Sequence, residues 1–184
     1  MRPVGVYLDT WILRWLCAAC LVLVASIAQA DISRFIGSYE GSAEVVSANG
    51  DARFRDMSVE ISQADDGFTV SWTSITYRKN GTAKEKSYTI NFVPGDRAGV
   101  FASAMKRNVF GHSVQLDPMK GEPFVWSQIE GDTLSVYSIF VTEEGGYEIQ
   151  QFDRTLADGG LQLDYQSVRD GAIQRTVSTF LRRK

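Results

Sequence analysis

His112 is the single histidine of this 184-residue chain. It alternates with Phe110, Val114 and Leu116, which puts it on the apolar side of an extended run. A histidine there reads as a hydrogen-bonded core or rim residue. Inside a barrel one imidazole would also suffice as an axial haem ligand, but the structural reading is preferred and the cofactor is left unassigned. A zinc site is poorer still, because no second histidine or cysteine accompanies it in the mature chain. A Ser–His–Asp arrangement would have to use His112, and no Gly-x-Ser-x-Gly elbow is present. Most carboxylates fall in turns (Asp65, Asp66, Glu130, Asp132, Asp158, Asp170), where they serve turn geometry and stay solvated. No catalytic constellation emerges, and enzyme activity is left open with a non-enzyme reading ahead.

Aromatic side chains are the other chemical resource. Phe68, Trp72, Tyr88, Trp126 and Phe140 fall on the apolar faces of their segments. They read as core packing or as the wall of an apolar cavity. With His112 they form the candidate ligand-binding set. The stretch 104–121 is locally basic, with Lys106, Arg107 and Lys120 against Asp117. It is read as a solvated loop, with a portal facing an anionic ligand or membrane surface as the alternative.

The elements that position these residues follow from a rhythm of turns. Short Gly/Asp/Asn clusters recur about every 14 residues after residue 31, among them Asp65-Asp66-Gly67, Asn80-Gly81, Asp158-Gly159-Gly160 and Asp170-Gly171. Between them apolar and polar residues alternate with period two, the mark of antiparallel strands wet on one face. Inward residues are expected at Tyr39, Gly41, Ala43 and Val45; at Met57, Val59 and Ile61; at Phe68, Val70 and Trp72; and at Tyr88, Ile90 and Phe92. Later segments continue with Phe124 and Trp126; Leu134, Val136 and Phe140; Tyr147 and Ile149; Leu161, Leu163 and Tyr165; and Ile173, Val177 and Leu181. The gap from Gly95 to Gly121 reads as two shorter strands, about 98–104 and 109–116, turning at Lys106-Arg107-Asn108. Long strands joined only by hairpins should curl and close, since an open sheet of that size leaves two exposed edges. The expected fold is all-β: an antiparallel up-and-down meander of about 8–11 strands closed into a barrel.

Residues 1–30 read as a signal peptide. Arg2 and Arg14 precede an apolar run from Trp15 to Ile27, and Ala28-Gln29-Ala30 supplies the small-x-small cleavage pattern. The run is about 13 residues, short of the roughly 20 a membrane-spanning helix needs. The expected product is one domain, 31–184, exported to the periplasm or secreted. Cys17 and Cys20 both lie in the leader, so the mature chain has no cysteine and no disulfide. The full chain carries 19 Lys/Arg against 22 Asp/Glu, net −3; loss of Arg2, Arg14 and Asp9 leaves −4. That mild acidity argues against a nucleic-acid partner.

Phe35-Ile36-Gly37-Ser38-Tyr39 resembles the opening of the lipocalin and fatty-acid-binding (calycin) superfamily, where a short helical turn leads into Gly-x-Trp at the base of the first strand. Tyr39 stands in place of the tryptophan. The resemblance implies a barrel binding small apolar molecules, its end closed by an arginine of the last strand packed over the ring. Arg175 and Arg182 are the two candidates. The fatty-acid binders' Arg-x-Tyr carboxylate clamp is missing, since Thr176-Val177 follow Arg175. The leading function is therefore an exported lipocalin-like protein binding a small apolar or amphipathic molecule. The alternatives are an interaction or inhibitor protein with a filled barrel, and a small outer-membrane barrel. The protein partner, if any, is unassigned.

Overall fold

A computed structural model describes residues 31–47, 50–78, 80–103, 106–107, 113–114 and 116–184. The leader and His112 lie outside the described residues. Asp31 opens the ordered chain by accepting a hydrogen bond from the Ser33 amide at 2.9 Å, which caps a single 3₁₀ turn, Ile32–Phe35. The strands are β1 (Gly37–Ser47), β2 (Ala52–Ala64), β3 (Gly67–Tyr77), β4 (Ala83–Pro94) and β5 (Val100–Ser103). The two-residue strands β6 (Lys106–Arg107) and β7 (Ser113–Val114) follow. Then come β8 (Phe124–Glu130), β9 (Thr133–Val141), β10 (Tyr147–Ala157), β11 (Gly160–Arg169) and β12 (Ala172–Arg183). Ten of them form a closed antiparallel barrel in the order β1-β12-β11-β10-β9-β8-β5-β4-β3-β2, and β6 pairs with β7 beside it. The up-and-down meander is thus as the turn rhythm predicts. At Asp170-Gly171 both residues have positive φ, 49° and 80°, the conformation that a two-residue hairpin needs to match strand twist.

The long central connection departs from expectation. The strand placed at 98–104 is the four residues of β5, and Lys106 and Arg107, expected in a turn, lie in β6. β4 pairs with β5 only through Phe92, Val93 and Pro94. Among the described residues, the part of β4 from residue 83 to 91 therefore has a ladder on its β3 side alone.

Two strands present the face opposite to the one expected. In β8 the buried residues are Val125, Ser127 and Ile129, so Phe124 and Trp126 point the other way. In β10 the inward set is Glu148, Gln150, Phe152 and Arg154, which turns Tyr147 and Ile149 outward. Both faces of these strands carry apolar residues, so the alternation is ambiguous. Register with β9 decides it: Val125 and Ser127 sit opposite Ser138 and Val136, and Phe152 and Arg154 opposite Val136 and Leu134. Ile173, expected inside, is 58 % exposed beside an irregularity in the β11–β12 ladder.

The barrel is packed at one end only. Phe35, Tyr39, Ile61, Phe68, Phe92, Leu134, Leu161 and Leu181 are all essentially buried there. The Tyr39 hydroxyl donates to the Phe35 carbonyl at 2.8 Å, tying β1 to the 3₁₀ turn. The Arg183 guanidinium lies 5.7 Å from the Tyr39 ring centre and donates to the Ile36 carbonyl at 2.6 Å. Neither expected arginine does this. Arg182 sits on the outward face, opposite Glu40 and Gly160, and Arg175 stands at the far end of β12. The contact also explains Gly37: a Cβ there would meet the Arg183 guanidinium at 3.1 Å.

The outer faces of β3–β4 and of part of β9–β10 are polar, whereas Phe124, Trp126 and Tyr137 cluster outside β8 and β9. Thr69–Asn91, Ser71–Thr89 and Thr73–Ser87 hydrogen-bond across β3 and β4, and Thr133–Thr155 and Ser135–Asp153 across β9 and β10. Among the described residues no helix is long and apolar enough to cross a membrane.

Candidate functional site

Beyond the packed end, the interior opens into a cavity of about 370 Å³. Its apolar lining includes Met57 of β2, Trp72 of β3, Phe152 of β10, Leu163 of β11 and Val177 of β12. Aromatic rings line two sides of it and meet across the interior: Tyr88 to Trp72 at 5.2 Å on β4 and β3, Phe152 to Tyr165 at 4.6 Å on β10 and β11, and Trp72 to Phe152 at 5.8 Å between the two sides. Each pair comes together by register, Trp72 facing Tyr88 in the β3–β4 ladder and Phe152 facing Tyr165 in the β10–β11 ladder, and closure of the barrel brings the two pairs, all at inward parity, towards each other.

The rest of the lining is polar, and its charged side chains are all cations. Arg53, Arg78, Lys84 and Lys86 ring the mouth and are exposed. Arg55 and Arg175 stand deeper and are half-buried, and Arg154, towards the packed end, is 2 % exposed. Among the described residues no aspartate or glutamate lines the cavity, although the chain is acidic overall. Burial lowers the Arg154 guanidinium to about 10, with Asp153 pulling it back, so it stays charged at neutral pH. It lies 5.5 Å from the Phe152 ring centre. Its Nε and Nη1, and the Nε atoms of Arg55 and Arg175, are buried with no hydrogen-bond partner. Arg55 is lowered by burial and then by the charge of Arg175. Tyr165 stands close to both; burial raises its hydroxyl pKa, while the Ser167 hydrogen bond and the two arginines pull it back.

Nearby carboxylates are engaged elsewhere. Glu148 accepts from Arg169 through Nε at 3.1 Å and Nη2 at 2.6 Å, and from Gln150 at 2.8 Å. Burial pulls its pKa up, but these donors and the charges of Arg169 and Arg175 together hold it below the usual value. Asp153 faces outward and accepts from Ser135 and Gln151. Asp51 pairs with Arg53 at the rim.

The structure divides the residues singled out in the sequence. Trp72 and Tyr88 line the cavity. Tyr88 is nevertheless 48 % exposed. Phe68 packs into the closed end against Phe92 and Phe101 at 5.1 and 5.0 Å, below the cavity. Trp126 stacks on Tyr137 at 5.0 Å on the opposite face from the barrel core, so it cannot line the cavity. Phe140 sits opposite Glu148 towards the open end and is not in the lining. Arg55 and Arg154 are the residues that sequence reasoning missed, and Arg175, expected over Tyr39, lines the cavity instead. Their signal was parity: Arg55 lies two residues before Met57, Arg154 two after Phe152, and Arg175 two before Val177. Among the described residues, no group of three or more His, Cys, Asp and Glu is placed to hold a metal ion.

No protein-family model, curated protein or solved structure matches the chain.

Proposed function

We propose that this is an exported binding protein that holds one small amphipathic molecule inside a lipocalin-like barrel. The carrying observation is the half-hollow interior: a packed base at Phe35 and Tyr39 beneath a cavity of about 370 Å³ walled by aromatic rings and polar groups. Single-ligand pockets occupy about 300–1,000 Å³ and combine an apolar wall with a few placed polar groups. The Gly37-x-Tyr39 opening and the arginine over its ring add to the likeness with the calycins. Export rests on the leader-like segment 1–30.

The hollow half weighs against a barrel used only as a rigid, filled scaffold for a protein partner. The serine, threonine and asparagine ladders outside β3 and β4 weigh against an outer-membrane barrel, because they interrupt an outer face that is apolar around Phe124, Trp126 and Ile149. Such a barrel needs an outward apolar band about 25 Å tall and a polar interior.

Trp72 reports on the cavity and Trp126 does not, and these are the two tryptophans after residue 30. Titrating the mature protein with decanoate, farnesol or haem is expected to change tryptophan emission with at least one of them. Trp126→Phe should keep that response and Trp72→Phe should lose it. No response to any of the three, or an equal response in Trp72→Phe, would contradict binding in the barrel.

A further inference from the structure

Resting on that reading, the charge inside the cavity identifies the ligand's head group. We infer that the cavity binds an organic anion, its carboxylate, sulfate or phosphate held by Arg55, Arg154 and Arg175, its apolar body against Trp72 and Phe152. Arg154 carries the argument furthest. A guanidinium that is 2 % exposed, with Nε and Nη1 lacking any acceptor, is a costly arrangement unless something anionic completes it. Two more arginines, from β2 and β12, line the same space with Nε atoms equally without partners. Like charges drawn together in a poorly hydrated space oppose one another, and an anion between them reverses the sign of that interaction.

Among the described residues no carboxylate lines the cavity. Two carboxylates act on the arginines only through space: Glu148, which feels the charge of Arg175, accepts its hydrogen bonds from Arg169 and Gln150, and Asp153, whose charge favours charged Arg154, faces outward and accepts from Ser135. The concentration of cations inside an acidic chain makes general basicity a poor explanation. Guanidinium suits the role because its planar fork meets two oxygens at once. Arg53, Arg78, Lys84 and Lys86 at the mouth would draw anions inward. A volume of about 370 Å³ suits a small monomeric anion better than a polyanion.

The test is calorimetric titration of residues 31–184 with five compounds sharing one ten-carbon chain: decanoate, decyl sulfate, decyl phosphate, 1-decanol and decyltrimethylammonium, each below its micellar concentration. At least one of the anions is expected to bind 30-fold or more tighter than decanol, with the cation weakest, and which anion leads names the head group. Anion affinity should fall with added salt. Arg154→Met and the double variant Arg55→Gln/Arg175→Gln should each weaken the best anion at least tenfold and leave decanol within threefold. Arg154→Lys, which keeps the charge without the fork, should fall between, and its unchanged circular dichroism would exclude a folding defect. Equal binding of decanol and all three anions, unmoved by the variants, would overturn the anionic head group while leaving a binding barrel intact. Failure of all five to bind would overturn both.

Discussion

Arg154→Met is expected to make the empty protein more stable and a poorer binder. Arg154 sits between Leu134 and Leu163 in the β10 ladders, is 2 % exposed and has two guanidinium nitrogens without acceptors. Its lowered pKa has the sign of destabilisation: burial disfavours the charged form that the unfolded chain carries freely at neutral pH. Methionine keeps most of the unbranched length and removes the buried charge. Replacing buried charge by a well-packed apolar residue gains about 1–4 kcal/mol in favourable cases. For a domain of this size that is several degrees in Tm. Thermal unfolding without ligand measures it. A saturating anion should raise the wild-type Tm by mass action, and the variant should lose most of that increment. Stability traded for a site is a recurrent pattern in binding proteins. A variant less stable than wild type by a kilocalorie or more would mean that the Arg154 side chain has a structural role in the empty barrel.

Tyr39→Ala should act at the other end and in the other direction. Tyr39 is 1 % exposed, donates to the Phe35 carbonyl at 2.8 Å and carries the Arg183 guanidinium over its ring. Truncating a buried aromatic costs about 3–5 kcal/mol through lost transfer energy and the cavity left behind. Tyr39→Phe removes only the hydroxyl and leaves the Phe35 carbonyl without that donor, a cost of about 1 kcal/mol. Urea unfolding of the three proteins should show this order in the midpoint. Because the cavity lies beyond the packed end, ligand affinity of Tyr39→Ala at temperatures where it is folded should stay within a few-fold of wild type. A midpoint unchanged from wild type would show that the base of the barrel is not held by this contact.

The architecture was legible because it depends on features that sequence displays directly. Glycine–aspartate turns at regular spacing and period-two alternation leave few options for strands of about 11 residues. Inward faces were readable where one parity was clearly apolar, as at Phe68-Val70-Trp72 or Leu161-Leu163. They were misread in β8 and β10, where Trp126 competes with Val125 and Ile129, and Ile149 with Phe152. Local hydrophobicity cannot choose between two apolar faces, and the register with β9 does. The arginine over Tyr39 was expected from the last strand but assigned to the wrong residues. Only pairing with β1 and β11 shows that position 183 faces inward at the base while 182 faces out.

The cationic interior was hidden by a habit of reading charge as surface. Arg55, Lys86, Arg154 and Arg175 each share the inward parity of a neighbouring apolar residue. In a filled barrel that parity would bury them at prohibitive cost. Here the upper half is hollow, and tertiary closure, which no local pattern encodes, turns four alternation faults into a lining. The absence of the Arg-x-Tyr pair in β12 pointed away from a carboxylate clamp, yet Arg175 itself lines the cavity with arginines contributed by β2 and β10.

The most direct measurement is the Nε–Hε spectrum of protein labelled with ¹⁵N-arginine, followed through a titration with the tightest-binding decyl anion. The signals of Arg55, Arg154 and Arg175, assigned through their single variants, should shift together and saturate with one Kd equal to the calorimetric value. The Arg182 signal, on the outer face, should stay put. Saturable binding with those three signals unmoved, or uniform drift of every arginine without saturation, would contradict an anion site inside the barrel.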